Sequence, residues 1–150
     1  MSEGILAPQA ICQVAIVVED IEAASKAWAT VLGVPVPAWR VAGDLPEANT
    51  RYHGEPTPAT AKLAFFDMGQ VRLELIEPDK GLSTWREFLD AHGPGLHHIA
   101  FNVGNMDEAT ARLQEAGIPT VQTGDFPGGC YAYCDGTARL GAILELLARR

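Results

Sequence analysis

Four polar side chains interrupt stretches that are otherwise apolar. Gln13 lies within ICQVAIVV (11–18), Glu74 within VRLELIE (71–77), His98 within LHHIAFNV (96–103) and Glu145 within AILELLA (142–148). A buried carboxylate without a partner is very costly, and an unpaired buried amide costs about 1–3 kcal/mol. An amide oxygen, an imidazole and two carboxylates together suit a divalent metal of borderline character, such as zinc, nickel, cobalt or manganese. The two carboxylates would neutralise its charge. Singly, each residue also fits a plainer role. Gln13 and His98 can be core polar groups bonded to backbone, and alternating Glu is ordinary on the solvent face of an antiparallel strand.

An internal repeat ties the four together. QVAIVVEDIEAASKAWATVLGVP (13–35) aligns with HIAFNVGNMDEATARLQEAGIP (98–119). Gln13 falls on His98 at an offset of 98 − 13 = 85, with Ala15 on Ala100, Val18 on Val103 and Ala24 on Ala109. After a one-residue deletion Gly33, Val34 and Pro35 fall on Gly117, Ile118 and Pro119. Leu73-Glu74-Leu75-Ile76 likewise resembles Leu144-Glu145-Leu146-Leu147. Two copies of a strand–helix–strands unit, neither able to cover its own sheet, are expected to pack together. An approximate two-fold would then bring two polar residues from each copy to one place.

The elements that must position them follow from periodicity. Residues 11–18 read as a buried strand, and Asp20 as the N-cap of a helix in which Ile21, Ala24, Trp28, Val31 and Leu32 recur at helical spacing until Gly33. A polar Gly/Pro-rich loop is expected over about 43–58, strands over 61–67 and 71–77, and a turn at Met68-Gly69-Gln70. After Pro78-Asp79-Lys80-Gly81 a short helix starts at Ser83, with Thr84 and Glu87 at capping-box spacing, and HGPG (92–95) ends it. GDFPGG (124–129) reads as a turn. Strand alternation puts His97 on the face opposite His98, which argues against its being a ligand.

Composition bounds the partners. The 150 residues carry 11 Lys+Arg against 19 Asp+Glu, a formal charge of −8, and 47% are hydrophobic. This is a globular composition with room for one ordinary core. The acidic balance disfavours nucleic acid and anionic membranes. No apolar run reaches about 18 residues and MSEGILAPQA lacks a basic leader, so neither secretion nor membrane insertion is expected. Cys12, Cys130 and Cys134, an odd count without CxxC spacing, read as reduced thiols in a cytoplasmic setting. No Walker or dinucleotide fingerprint, GxSxG or HExxH is present.

Through VRLELIEP (71–78), GLHHIAFNV (95–103) and AILELL (142–147), the chain resembles the vicinal oxygen chelate superfamily over about residues 11–147. That superfamily includes glyoxalase I, methylmalonyl-CoA epimerase, extradiol dioxygenases and bleomycin-binding proteins, and the epimerase-like branch is nearest. The resemblance implies an α+β fold, with two fused βαβββ modules forming a curved mixed sheet around a metal site. It implies one domain over 1–150: module 1 at about 11–78, a connecting helix at about 83–92 and module 2 at about 95–147. The family's ligands fall on Gln13, Glu74, His98 and Glu145, the positions the repeat isolates. Two positions depart from the epimerase pattern: Gln13 replaces a His, and Leu63 stands where the alignment expects a second catalytic Glu. Gln, Glu, His, Glu in this order looks like the ligand set of zinc-type glyoxalase I.

The resemblance implies a metal-dependent enzyme that removes a proton beside a carbonyl or thioester and stabilises the resulting enolate. An epimerase of a branched acyl-CoA is the first reading, and a glyoxalase I-type isomerase of a hemithioacetal is the alternative. The third is a non-catalytic small-molecule binder. Extradiol cleavage needs two His and one Glu, which this chain does not supply. Glu145 is implied as the base, and the two-fold suggests Glu74 as a second acid–base group on the opposite side. No organic cofactor is implied. A CoA substrate needs local cations, for which Lys26, Arg40, Arg51, Lys62 and Lys80 are candidates. A homodimer is expected from the relatives.

Overall fold

The computed structural model describes residues 3–150. Strand β1 (Ile11–Val17) leads into helix α1 (Ile21–Leu32), which Asp20 caps by accepting from the Ala23 amide at 3.0 Å. Gly33 stops the helix at φ 69°, a left-handed conformation glycine reaches without strain. Strand β2 (Arg40–Ala42), a short hairpin of β3 (Arg51–Tyr52) and β4 (Glu55–Pro56), β5 (Ala61–Asp67) and β6 (Arg72–Pro78) follow. Helix α2 (Thr84–His92) precedes β7 (Gly95–Asn102) and α3 (Met106–Glu115). The chain ends in β8 (Thr120–Phe126), β9 (Gly129–Gly136), one turn of helix α4 (Thr137–Leu140) and β10 (Ala142–Arg149). Asn105 caps α3 on the Glu108 amide at 3.0 Å, in the place that Asp20 holds before α1.

The ten strands form one mixed sheet in the order β2-β5-β6-β1-β7-β10-β9-β8-β3-β4. Helices α1 and α3 each lie between the strands of a parallel pair, β1 with β6 and β7 with β10. An antiparallel β1–β7 pairing joins them at the centre. The sheet must curl. Eight strand spacings separate β2 from β3, roughly 38 Å if flat. The chain from Ala42 to Arg51 spans at most about 32 Å. That connection therefore straps across the mouth of a half-barrel, giving the curled α+β architecture that the resemblance implies.

The pleat sorts residues between the two faces of the curl. On the convex side α1 covers Ala64, Phe66, Leu73 and Leu75 with Ile21 and Ala29. There α3 covers Cys134, Leu144 and Leu146 with Ala109 and Leu113. Helix α2 instead plugs the concave side, where Trp85 and Leu89 pack on Ala15, Val17, Ile76 and Tyr133. Cys130 and Cys134 are buried free thiols, and no described helix is long and apolar enough to cross a membrane.

Three local expectations change. The α2 cap is Ser83, whose Oγ accepts from the Arg86 amide at 3.0 Å. Thr84, one residue later, spends its amide and hydroxyl on Gln122 Oε1 at 2.8 and 3.1 Å. The polar stretch 43–58 contains the β3–β4 hairpin, which extends β8. The predicted turn at 124–129 lies mostly in strand, leaving Pro127-Gly128 between β8 and β9.

Candidate metal and substrate site

Two alanines make the floor. On β1, Ala15 lies between Glu74 of β6 on one side and His98 of β7 on the other. On β7, Ala100 lies between Gln13 of β1 and Glu145 of β10. Ala15 and Ala100 are repeat mates and both are fully buried. Each small side chain leaves room on that face for its two neighbours, and Glu145 meets both Gln13 and His98 there. The alternation of the strands and the central β1–β7 pairing thus bring all four predicted residues to one face. None is more than 5% exposed. The plainer reading of Glu74 and Glu145 as solvent-facing is excluded by that burial.

The electrostatics are those of a crowded acidic pocket. Nε2 of His98 lies 2.8 Å from Glu145 Oε2. The contact is ionic, since its direction does not meet the carboxylate as a hydrogen bond, and among the described residues this buried nitrogen has no hydrogen-bond partner. Gln13, with its amide nitrogen turned to Glu145, donates to Oε2 at 3.1 Å, and its oxygen accepts from Arg72 Nη2 at 3.1 Å. Burial, then the neighbouring Glu145 charge, push the Glu74 carboxyl up to about 7. Burial disfavours the charged form of His98, but the Glu145 and Glu74 carboxylates prevail and raise it. Tyr133, its ring tilted against His98 at 4.9 Å, is raised well above the ordinary phenol by burial and the same carboxylates.

His97 is not where alternation puts it. The β1–β7 register shifts between Ala15, opposite His98, and Ile16, opposite Leu96. His97 is the extra residue of that bulge, and a bulge re-aims side chains. Its Nδ1 sits 2.8 Å from Nδ1 of His98. Burial first, then the His98 charge, lower it well below the ordinary imidazole range.

The donor chemistry of the four residues and the unpartnered His98 nitrogen fit a divalent cation. Among the described residues, however, no three His, Cys, Asp or Glu side chains stand open around a common point ready to hold one. Gln13 and Glu145 are closed on each other and on Arg72, so side-chain rotation must accompany any binding.

Gln13, Glu74 and Glu145 line a cavity of about 350 Å³, while His98 lines the neighbouring cavity beside α2. Trp85, Tyr131 and Tyr133 wall it from the α2 end, and the strap contributes Asp44, Leu45, Glu47 and Ala48. Trp85 Nε1 donates to the Tyr133 hydroxyl at 2.9 Å, which fixes both rings. The strap's far end is tied down where Asn49 donates to Asp125 at 3.2 Å. Of the five candidate cations, only Arg40 lines the cavity. Lys62 is instead committed to Glu77 at 3.4 Å and to the Trp39 ring. Arg72, not singled out from the sequence, joins Arg40 in the wall. Their guanidinium carbons lie 4.3 and 5.3 Å from the centre of the Phe65 ring. Neither joins a salt bridge among the described residues. Arg72 stands two residues before Glu74 on one strand, so the period of two that exposed Glu74 also marks it. Leu63 lines the same cavity.

A curled mixed sheet holding a buried amide, imidazole and carboxylate pair defines a class. The chain belongs to the glyoxalase/bleomycin resistance protein/dioxygenase superfamily, whose family model matches residues 12–133. In fold it is similar to methylmalonyl-CoA epimerase from Mycobacterium tuberculosis, with TM-score 0.66 and 18% identity over 100% of this chain and 93% of that one. A methylmalonyl-CoA epimerase of Streptomyces coelicolor, solved with 2-nitronate-propionyl-CoA, aligns with TM-score 0.63 and 18% identity over 93% of this chain and 96% of that one. Among curated sequences, uncharacterized protein YqjC of Bacillus subtilis (strain 168) is 41% identical over 59 residues, 39% of this chain. The match spans 42% of that relative's length, under half of it.

Proposed function

We propose that this chain is a metal-dependent enzyme that removes a proton next to a carbonyl or thioester, most like methylmalonyl-CoA epimerase. The reading rests on one observation: Glu74 and Glu145, buried under one cavity, flank two repeat-related alanines on the same sheet face as the Gln13 amide and the His98 imidazole. Gln13, Glu74, His98 and Glu145 would hold zinc, nickel, cobalt or manganese. A divalent cation there supplies Lewis-acid stabilisation of the negative charge that develops on the substrate oxygen.

The protein's own groups do the rest. Glu145 takes the proton as the C–H bond breaks and its electron pair moves into the adjacent carbonyl. Glu74, reaching in from the other module, returns a proton to the opposite face. Tyr133 and Trp85 exclude water from one side. Arg40 and Arg72, flanking Phe65, hold the anionic part of the substrate. Epimerase structures solved with methylmalonyl-CoA or 2-nitronate-propionyl-CoA support an acyl-CoA as that anion. We read the chain as one domain of two modules, 11–78 and 95–147, joined by α2 and working as a cytoplasmic homodimer.

A glyoxalase I-type isomerase is the second reading. Its support is the order Gln, Glu, His, Glu and the apolar Leu63 in the cavity wall. A solvent-deuterium exchange assay on a panel of acyl-CoA thioesters and hemithioacetals separates the two, with metal content measured on the same sample. The epimerase reading expects exchange at C2 of a branched acyl-CoA, from both enantiomers in the native chain. It expects exchange from only one enantiomer in Glu74→Gln. Exchange from both at native rates makes Glu74 a ligand only, and exchange confined to hemithioacetals replaces the epimerase with the glyoxalase.

A further inference from the structure

The His97–His98 pair sits outside the roles assigned so far. Two ring nitrogens 2.8 Å apart must share a single proton, one ring donating and the other accepting. Two imidazolium rings there would set N–H against N–H. The direction of that bond decides what His98 presents to the carboxylates. If His97 donates, the His98 proton sits on Nε2, toward Glu145, and no lone pair is free there. If a neutral His98 donates from Nδ1, its Nε2 is bare, 2.8 Å from a Glu145 oxygen, and the two atoms can be neighbouring ligands of one cation beside them.

We propose that His97 is the positioning residue of the site: its Nδ1 accepts the Nδ1–H of His98 and so leaves His98 Nε2 bare toward Gln13, Glu74 and Glu145 for a divalent cation. The inference rests on the reading that these four residues take such a cation. The β-bulge is the structural device. Without the extra residue, alternation would turn His97 to the other face, away from Nδ1 of His98. The surroundings hold His97 in place. Its ring packs edge-on against Phe88 at 5.5 Å and Tyr133 at 5.3 Å, and among the described residues no carboxylate bonds to it. Outer partners of a ligating imidazole fix its tautomer and typically carry 10- to 100-fold in metal affinity.

The test compares zinc binding to the native chain, His97→Leu and His97→Asn. Long-range ¹H–¹⁵N spectra of the imidazoles are recorded on the zinc-loaded native protein. Asparagine places its own δ oxygen as many bonds from the backbone as Nδ1, so it keeps the acceptor. Leucine fills the space without one, and a cavity of about 690 Å³ beside α2 leaves room for the change. Expected are a protonated Nδ1 on His98, a zinc affinity about 10- to 100-fold weaker in His97→Leu, and recovery to within a few-fold in His97→Asn. A His97→Leu protein that binds zinc as the native one does overturns the inference and leaves the cation site standing. Failure of the native chain to take up zinc, cobalt, nickel or manganese overturns both. Should His97→Leu not fold, the spectrum of the native protein decides, and an unprotonated Nδ1 on His98 contradicts the proposal.

Discussion

Ala100 has no chemistry of its own, yet the site depends on it. It is the gap over which Gln13 and Glu145 meet, as Ala15 is the gap between Glu74 and His98. Valine at position 100 would push two methyl groups up between two donors in a fully buried spot. Overpacking of that kind costs about 1–3 kcal/mol. Displacing a donor by about 1 Å loosens a site more than it loosens a fold. Ala100→Val is expected to keep its circular dichroism, lose about 1–3 kcal/mol in urea unfolding, and bind divalent cations more weakly than that loss alone implies. An unchanged cation affinity contradicts the floor argument. Arg72→Gln is expected to raise KM for an anionic substrate more than it lowers kcat, because the guanidinium is exposed in the wall whereas Glu74 and Glu145 are buried. The four central residues were legible because the repeat pairs polar positions inside apolar strands. His97 was not, because a bulge leaves no mark in an alternation pattern.

Among the elements, α2 closes the end of the curl and is held by a small polar cluster. Gln122 accepts twice from Thr84 and donates to the Tyr131 hydroxyl at 3.0 Å, all within the interior. Gln122→Leu strands the first amide of α2 without a partner. A loss of about 1–3 kcal/mol is expected in thermal or urea unfolding, and a neutral result would mean that water or a shifted helix replaces the amide. The helices α1 and α3 were readable with their caps, since Asp20 and Gly33 are local signals that need no tertiary context. The α2 cap was displaced by one residue because Ser83 and Thr84 both look like caps, and only Gln122, 38 residues on, decides between them. The β3–β4 hairpin was hidden for the same reason. Each of its strands has two residues, and its partner β8 lies some 70 residues downstream, so no local periodicity could show it.

At the scale of the whole molecule the buried acid cluster should be visible in stability. Glu74 is raised from 4.5 to about 7, and His98 is raised above 6.5. Both bind protons more tightly in the folded chain, so each favours folding at low pH and loses that advantage as pH rises through its folded value. His97, lowered by burial, acts in the opposite sense, but only below 6.5, where its unfolded form takes up a proton. From about pH 6.5 upward the first two act unopposed, and the urea midpoint of the cation-free protein is expected to fall toward about pH 8. Saturating zinc should remove the slope, because the cation takes the place of the protons. A midpoint that rises over this range contradicts the raised carboxyl. Curling the sheet under the strap is what makes such burial possible, since it draws both carboxylates beneath one cavity. The central claim, that Gln13, Glu74, His98 and Glu145 form one cation site, is tested most directly by equilibrium dialysis of the purified chain against zinc, nickel, cobalt and manganese. About one ion bound per chain is expected, and its loss in His98→Ala, by the ligand count of such sites; a native protein that takes up none of the four, or a His98→Ala protein that binds as the native one does, contradicts it.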